Sequence, residues 1–156
     1  MLWMRGLMFT LLVPYMLGVV VPQWIGEGGT GSSLGWLLIV PGAALYLLSL
    51  ARFLAVGGTP SIYFLRPLRH VLGEEPGVVV ERGVYGFTRN PMYAGVLTAI
   101  QGQAILYGSW GVALYGLLFG CWLHFVVKVI EEPHLRKERG AVYEEYCKRV
   151  PRWLLR

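Results

Sequence analysis

The sequence predicts an all-α integral membrane protein, a polytopic helical bundle of about four transmembrane helices followed by a cytoplasmic amphipathic C-terminal helix. The first observation is composition, because 55% of the 156 residues are hydrophobic and only 15% are charged. The second is that the apolar residues fall into four long runs, as helical spans of about 20 residues require. The third is the one-sided placement of the basic residues. The chain, residues 1–156, is expected to form one domain.

The first two predicted spans cover residues 6–25 and 34–56. Arg5 followed by an apolar run is also typical of a signal peptide, but the run lacks a small-residue cleavage pattern and further apolar runs follow it. Pro41 interrupts the second run, where neighbouring helices can satisfy the carbonyl that proline frees. Both runs are therefore interpreted as membrane helices.

The third and fourth predicted spans cover residues 91–107 and 110–130. Only Gly108 and Ser109 separate them, so the two helices must form an antiparallel hairpin. A polar connection, residues 57–90, precedes the hairpin, and a charged closing segment, residues 131–156, follows it. In that segment apolar residues recur at helical spacings, which predicts an amphipathic helix on the membrane surface. These positions are Leu135, Val142, Tyr143 and Tyr146.

The basic residues decide the predicted topology. Every Lys and Arg lies in the amino terminus, the 57–90 connection, the closing segment, or at a span end on that same side. The positive-inside rule therefore places both termini in the cytoplasm, with the chain in the cytoplasmic membrane. The net charge of +5 is explained by topology and by attraction to anionic lipid headgroups, so no nucleic acid partner is expected.

Two polar clusters are predicted to meet at the cytoplasmic ends of the last two spans. One is the stretch Gly83–Gly95 and the other is the pair Glu131 and Glu132. Adjacent carboxylates repel each other, and Arg136 is the obvious basic partner at helical spacing. The sequence therefore predicts an enzyme site that encloses a small polar ligand beside the lipid. No cluster has metal-ligand spacing, and no metal is expected.

Several of these residues have simpler interpretations. Asn90 and Pro91 suit the first turn of a helix, where Asn caps and Pro fits without losing a hydrogen bond. Gly95 permits close approach of either another helix or a ligand. His124 lies deeper in the fourth span, and both a ligand contact and an interhelical hydrogen bond remain open for it.

Three motifs then occur in order along the chain. They are Arg89-Asn90-Pro91-Met92-Tyr93-x-Gly95, Glu131-Glu132-Pro133 and Gly140-x-x-Tyr143-x-x-Tyr146-x-x-x-Val150-Pro151. Together they resemble the isoprenylcysteine carboxyl methyltransferase family, whose wider group includes bacterial phospholipid methyltransferase-like membrane enzymes. The resemblance implies a membrane methyltransferase that uses S-adenosylmethionine, with the cofactor in a cytoplasmic-facing pocket beneath the C-terminal segment and the lipophilic acceptor entering from the bilayer.

The resemblance also implies roles for individual residues. Tyr143, Tyr146 and Pro151 would belong to the segment that closes over the cofactor. Arg89 would orient a prenylcysteine-like carboxylate acceptor, whereas for a lipid amine Glu132 or His124 would remove a proton. Arg89 and Glu132 are thus the predicted catalytic residues. The predicted cofactor-binding residues are Tyr85, Arg89, Asn90, Pro91, Tyr93, Gly95, His124, Glu131, Glu132 and Tyr143.

Two other functions compete with this interpretation. Sterol-reductase-like membrane enzymes, which use NADPH, share an Arg-x-Pro-x-Tyr stretch and an ending like Tyr146-Cys147-x-x-Val150-Pro151. The Glu131-Glu132 pair suits the methyltransferase pattern better. A non-enzymatic lipid-binding or scaffold protein is the third possibility, and it predicts that neither cofactor binds.

Overall fold

The computed structural model describes residues 11–26, 29–56 and 78–154. This part of the chain is helical and contains no β-strand, which confirms the all-α prediction. Five helices follow in order: α1 Leu11–Ile25, α2 Trp36–Ala55, α3 Pro91–Tyr107, α4 Trp110–Val126 and α5 Glu132–Arg149. Four shorter segments complete them: the π-helical turns Met16–Val20 and Val127–Glu131, and the 3₁₀ turns Ser33–Gly35 and Gly83–Gly86.

Two helical stretches in the described part are long and apolar enough to cross a bilayer, Ser33–Ala55 and Trp110–Arg149. The second runs without interruption through the predicted end of the fourth span, because the π turn joins α4 to α5. α3, with 17 residues, is shorter. Four spans therefore remain a prediction, and residues 6–10 of the first span and residues 57–77 of the connection lie outside the described residues.

α2 packs against α3 through pairs of glycines that lie directly opposite each other. A Cβ placed on Gly42 would lie 2.7 Å from the carbonyl oxygen of Gly95, and one placed on Gly95 would lie 2.6 Å from the oxygen of Gly42. Gly35, in the 3₁₀ turn before α2, and Gly102 of α3 make the same reciprocal contact. Gly35 and Gly42 are seven residues apart, and so are Gly95 and Gly102. The two antiparallel backbones therefore approach closely at both contacts. This contact fixes the position of the start of α3.

α1 is fastened to the hairpin by hydrogen bonds to its π turn. The amide of Gln103 donates to the carbonyl of Gly18 at 2.5 Å, and the hydroxyl of Tyr115 donates to the carbonyl of Leu17 at 2.8 Å. A π turn disturbs the regular i to i−4 pattern. Carbonyls in an apolar environment need partners, and these polar side chains of α3 and α4 supply them.

The α3–α4 hairpin forms as the sequence predicts. Gly108 ends α3 in a left-handed conformation with φ of 60°, which glycine adopts without steric cost. Ser109 then caps α4, because its hydroxyl accepts a hydrogen bond from the Val112 amide at 3.3 Å. Ile100 and Val112 are fully buried where the two helices meet.

α5 presents an apolar face to the protein. Tyr143, Tyr146 and Val150 are buried together, with Val79 and Leu135 packed against them. Val142, which the spacing had placed on this face, is 63% exposed, because Gly140 breaks the helix with φ of 51° and ψ of −130° and changes the phase of the following residues. The amphipathic face therefore begins anew after Gly140.

Candidate active site

The loop before α3 is held by a buried tyrosine. The turn Gly83–Gly86 places Tyr85 in the core, where its ring packs edge-on against Phe53 of α2 at 5.4 Å. The carbonyl of Tyr85 accepts a hydrogen bond from the hydroxyl of Tyr146 at 2.7 Å. Burial raises the pKa of both tyrosines well above the ordinary value. Both hydroxyls therefore stay neutral at physiological pH, and Tyr146 remains a hydrogen-bond donor.

The end of the chain docks onto this loop. We call residues 150–154 the tail segment. The backbone amide of Arg89 donates to the carbonyl of Pro151 at 2.9 Å. The Thr88 hydroxyl and the Asn90 side-chain amide both donate to the carbonyl of Arg152, each at 3.0 Å. Asn90 makes no side-chain cap for α3, although Pro91 occupies the first turn. The amide of Asn90 thus binds the tail segment instead.

Glu132 lies at the centre of a group of guanidinium groups, which we call the Glu132 clamp. Arg152 binds the carboxylate in a bidentate manner, with Nε 2.6 Å from Oε1 and Nη2 2.8 Å from Oε2. Nη1 of Arg89 lies 3.0 Å from Oε1, and Arg136 approaches to 3.9 Å. Burial opposes ionisation of Glu132, which is 4% exposed, but the three arginines outweigh it and lower its pKa. Glu132 is therefore firmly anionic.

Arg89 is nearly enclosed and only partly satisfied. Its Nη1 also donates to the sulfur of Cys147 at 2.7 Å. Its Nε is buried and has no hydrogen-bond partner in the part of the chain that the structure describes. Buried donors are nearly always satisfied in folded proteins. Tyr143 lies beside Arg89 and Cys147, and its burial raises its pKa, so it presents a neutral hydroxyl here. The N–H group at Nε can therefore donate a hydrogen bond to a bound anion.

Glu131 belongs to a different group from its neighbour. It ends the π turn, and its Oε1 accepts a hydrogen bond from the hydroxyl of Tyr93 at 2.5 Å. Tyr93 lies in the first turn of α3, so this bond joins the entrance of α3 to the end of the fourth apolar run. The two adjacent carboxylates point to different elements of the bundle, which avoids the repulsion between them.

Two predicted site residues, His124 and Gly95, contact other parts of the protein. Nδ1 of His124 accepts a hydrogen bond from Nε1 of Trp153 at 3.0 Å, and the two rings stack at 6.3 Å. The histidine therefore binds the tail segment. Gly95 faces the backbone of Gly42, so the close approach at this position is made by a helix.

The structure thus brings most of the predicted residues together. Arg89, Asn90, Glu132 and Tyr143 contact the docked tail segment. Tyr85 is joined to Tyr146 of α5, and Tyr93 forms a pair with Glu131. The described residues contain no group of three or more His, Cys, Asp or Glu that would hold a metal ion.

Sequence reasoning missed the residues that complete the site, Thr88, Cys147, Arg152 and Trp153. Helical spacing predicts Arg136 as the partner of Glu132, whereas Arg152 is 20 residues away in the sequence. A signal was present, since Arg152 directly follows the Val150-Pro151 motif.

Comparison with known proteins gives one finding. The family model of the phospholipid methyltransferases, PEMT, matches residues 32–141. The match covers well over half of the chain and includes α2, α3, α4 and the Glu131-Glu132 pair, and it ends before the tail segment. No curated protein and no solved structure matches the chain. The match agrees with the resemblance found in the sequence motifs.

Proposed function

The chain belongs to the phospholipid methyltransferase family, and we propose that it transfers a methyl group from S-adenosylmethionine to the headgroup of a membrane lipid. The family assignment supports methyl transfer to a lipid and membrane association. One structural observation carries the proposal further: Arg89-Asn90 and Glu132, both inside the family match, meet beneath the docked tail segment.

One feature of the residues at this point supports binding of the cofactor. The buried Nε of Arg89 lacks a partner, and its N–H group suits a carboxylate such as that of the methionine moiety. We propose that Arg89, Asn90 and Tyr143 hold the cofactor, while Tyr85 and Pro91 shape the pocket. When bound, S-adenosylmethionine supplies a methyl group attached to a positively charged sulfur. Because Glu132 is engaged by three arginines, its role in the proposal is to fix Arg89 in place.

The chain itself contributes position and exclusion of water. Direct methyl transfer requires that donor and acceptor atoms be held in line, which rigid helix ends achieve. The tail segment covers the loop at residues 88–90 through three hydrogen bonds. Each such bond contributes only about 1 kcal/mol. Arg152 and Trp153 of the tail segment also bind Glu132 and His124, so lifting of the tail segment to admit a ligand must break these contacts as well. Closure then shields the site from bulk water.

The surroundings of the site support a lipid acceptor. An apolar cavity of about 580 Å³ lies between α1, α2 and α3, and Tyr15, Val19, Leu47 and Val96 are among its lining residues. Its lining reaches Gly95, one turn beyond the start of α3. We propose that this cavity accommodates the hydrocarbon chain of the acceptor. The positive-inside rule supports a cytoplasmic site with both termini on that side.

Calorimetric titration of the detergent-solubilised protein with S-adenosylmethionine, and with its demethylated product, tests the proposal. We expect saturable binding that weakens at least about tenfold in Glu132→Gln, because loss of a charged hydrogen-bonded partner of Arg89 removes on the order of 1.4 kcal/mol or more. Glu145→Gln is the matched control, since Glu145 is exposed on α5 and pairs only loosely with Lys148 at 3.8 Å.

Absence of saturable binding to the wild-type protein, with its helical circular dichroism retained, would overturn the proposal. NADPH would then be titrated, because a membrane reductase is the alternative function that the motifs support. A ligand of the folded state also raises thermal stability, which gives a second measure of binding.

A further inference from the structure

Cys147 lies directly beside the buried guanidinium of Arg89. We infer that Cys147 is an oxidation site, where a peroxide adds one oxygen to the sulfur and this oxygen then occupies the N–H groups that Arg89 offers to a ligand. The consequence for S-adenosylmethionine rests on the proposed function, whereas the oxidation itself does not.

The contact between the thiol and the guanidinium is direct. Nη1 of Arg89 donates to Sγ of Cys147 at 2.7 Å, and the Arg89 side chain is only 9% exposed. Arg152 and Tyr143 lie within electrostatic range of the same sulfur. Of the charged groups at this point, Arg89 and Arg152 are positive and Glu132 is negative, so the surroundings of the thiol are positive on balance.

Arg89 also has a donor that none of the described residues uses. Its Nε is buried and lacks a hydrogen-bond partner within residues 11–26, 29–56 and 78–154. Buried donors are nearly always satisfied in folded proteins, so this one indicates a missing acceptor. The sulfur of Cys147 already touches the same guanidinium. An oxygen bonded to that sulfur would be an acceptor small enough for this enclosed place.

Packing does not account for the position of the thiol. Cys147 packs against the apolar cluster of Tyr143, Tyr146 and Val150, where a free cysteine serves as a small hydrophobic residue. Its sulfur nevertheless contacts a guanidinium, and the residue is only half-buried. Reactive cysteines are typically found in such surroundings, partly exposed and next to basic side chains, whereas structural ones are buried and inert.

The proposed step balances in atoms and electrons. The thiol first loses its proton to water. A sulfur lone pair then attacks one oxygen of hydrogen peroxide, so that an S–O bond forms as the O–O bond breaks. Sulfur is oxidised by two electrons, and the departing hydroxide takes up a proton to become water. The product is a sulfenic acid, which a thiol reductant returns to cysteine through a mixed disulfide.

The added oxygen competes with a ligand for Arg89. A guanidinium binds an oxygen acceptor through its N–H groups, most strongly when the acceptor is an anion. The proposed function assigns these groups to the carboxylate of S-adenosylmethionine. Oxidation of Cys147 should therefore weaken cofactor binding, and bound cofactor should slow oxidation of Cys147.

The first measurement follows the oxidation itself. The full chain in detergent is treated with hydrogen peroxide and dimedone, which labels sulfenic acids, and peptide mass spectrometry quantifies the labelling of Cys147 over time. We expect labelling about tenfold faster in the folded wild-type protein than in protein denatured with sodium dodecyl sulfate. This comparison does not depend on the folding of any variant.

A pair of arginine variants then tests the cause of this reactivity. Arg89→Gln should remove most of the difference between folded and denatured protein, because the guanidinium beside the sulfur is lost. Arg149→Gln is the matched control, since Arg149 is exposed near the end of α5 and pairs with Glu81 at 2.6 Å. Its labelling should match that of wild type.

The second measurement follows the consequence for binding. Each protein is titrated calorimetrically with S-adenosylmethionine before peroxide treatment, after it, and after reduction with dithiothreitol. We expect oxidation to weaken binding about tenfold in wild type, because a charged hydrogen bond is lost, and reduction to restore it. Cys121→Ala, which removes the exposed cysteine of α4, should show the same loss. Cys147→Ala, compared only with itself, should bind equally well before and after treatment.

Three outcomes would overturn the inference and leave the proposed function standing. They are labelling of folded Cys147 no faster than of denatured Cys147, wild-type binding that oxidation of Cys147 does not change, and an equal loss of binding in treated Cys147→Ala. Failure of the reduced wild-type protein to bind S-adenosylmethionine would overturn the proposed function instead, and labelling alone would then decide whether Cys147 is the oxidation site.

Discussion

α2 meets α3 through bare backbone, whereas the tail segment meets the loop before α3 through charged and hydrogen-bonded side chains. In the first contact, Gly42 and Gly95 leave no room for even a methyl group. In the second, Thr88, Asn90 and Glu132 hold carbonyls and a guanidinium that arrive from the end of the chain. Both contacts position the same few residues at the start of α3.

The difference follows from the surroundings of each contact. Among apolar side chains and lipid, helices gain most from close packing, and small residues permit it. Such a contact is either formed or broken. At the helix ends, each neutral hydrogen bond contributes a small amount, and the ion pairs of buried Glu132 contribute more. The bundle is therefore held by backbone packing, and the tail segment is held by polar contacts that single substitutions can weaken one at a time.

The largest effect should come from breaking the glycine contact. Gly95→Leu places a side chain where a single Cβ already lies 2.6 Å from the Gly42 oxygen, so α2 and α3 must separate. We expect little or no folded monodisperse protein in detergent, measured by size-exclusion chromatography. Gly120→Leu is the matched control, since its Cβ meets only the Leu97 side chain at 3.5 Å. Equal behaviour of the two variants would show that the glycine contact is not decisive.

A smaller effect should follow from removal of the buried charge of the clamp. Glu132→Gln leaves Arg89 and Arg152 facing each other without the carboxylate that joins them. Breaking a buried ion pair costs about 3–5 kcal/mol, and the partial exposure of Arg152 places the expected loss near the lower end. The thermal midpoint in detergent should fall accordingly. In Arg152→Gln the fall should be smaller, because Arg89 still neutralises Glu132.

Acid titration should separate the two contacts. Arginine neighbours lower the pKa of Glu132 in the folded protein below its unfolded value. The resulting stability is complete above the unfolded pKa and is lost as the pH falls through the lower, folded pKa. We expect thermal midpoints of wild type and Glu132→Gln to converge in strong acid. A constant difference between them down to that pH would contradict the assignment, since the glycine contact does not titrate.

The smallest effect should come from the tail segment alone. Asn90→Ala removes the side-chain bond to the Arg152 carbonyl and should weaken docking of the tail segment by about 1 kcal/mol. The bundle should be unchanged, so the thermal midpoint stays close to wild type. Hydrogen exchange of the Arg89 amide, which donates to Pro151, should become about fivefold faster. Unaltered exchange at Arg89 would mean that Asn90 does not hold the tail segment.

Hydropathy and local patterning predicted much of the fold because they report what each segment does by itself. The hairpin at Gly108-Ser109 follows from two apolar runs and a two-residue turn, and the start of α3 at Pro91 follows from the fit of proline in a first turn. Motif order identified the family that the comparison then confirmed.

Contacts between residues that are far apart in the sequence could not be predicted from hydropathy and local patterning. The sequence left open whether Gly95 approaches a helix or a ligand, and the structure places Gly42 of α2 opposite it. His124 accepts a hydrogen bond from Trp153, which is 29 residues away in the sequence. Glu131 and Glu132 are identical in the sequence and adjacent, yet one binds Tyr93 and the other binds Arg152. Sequence alone determined that the described segments are helical and which family the chain belongs to, because those depend on local periodicity, composition and motif order. Which residue faces which was decided only by tertiary structure, because it depends on how helices distant in the chain pack together.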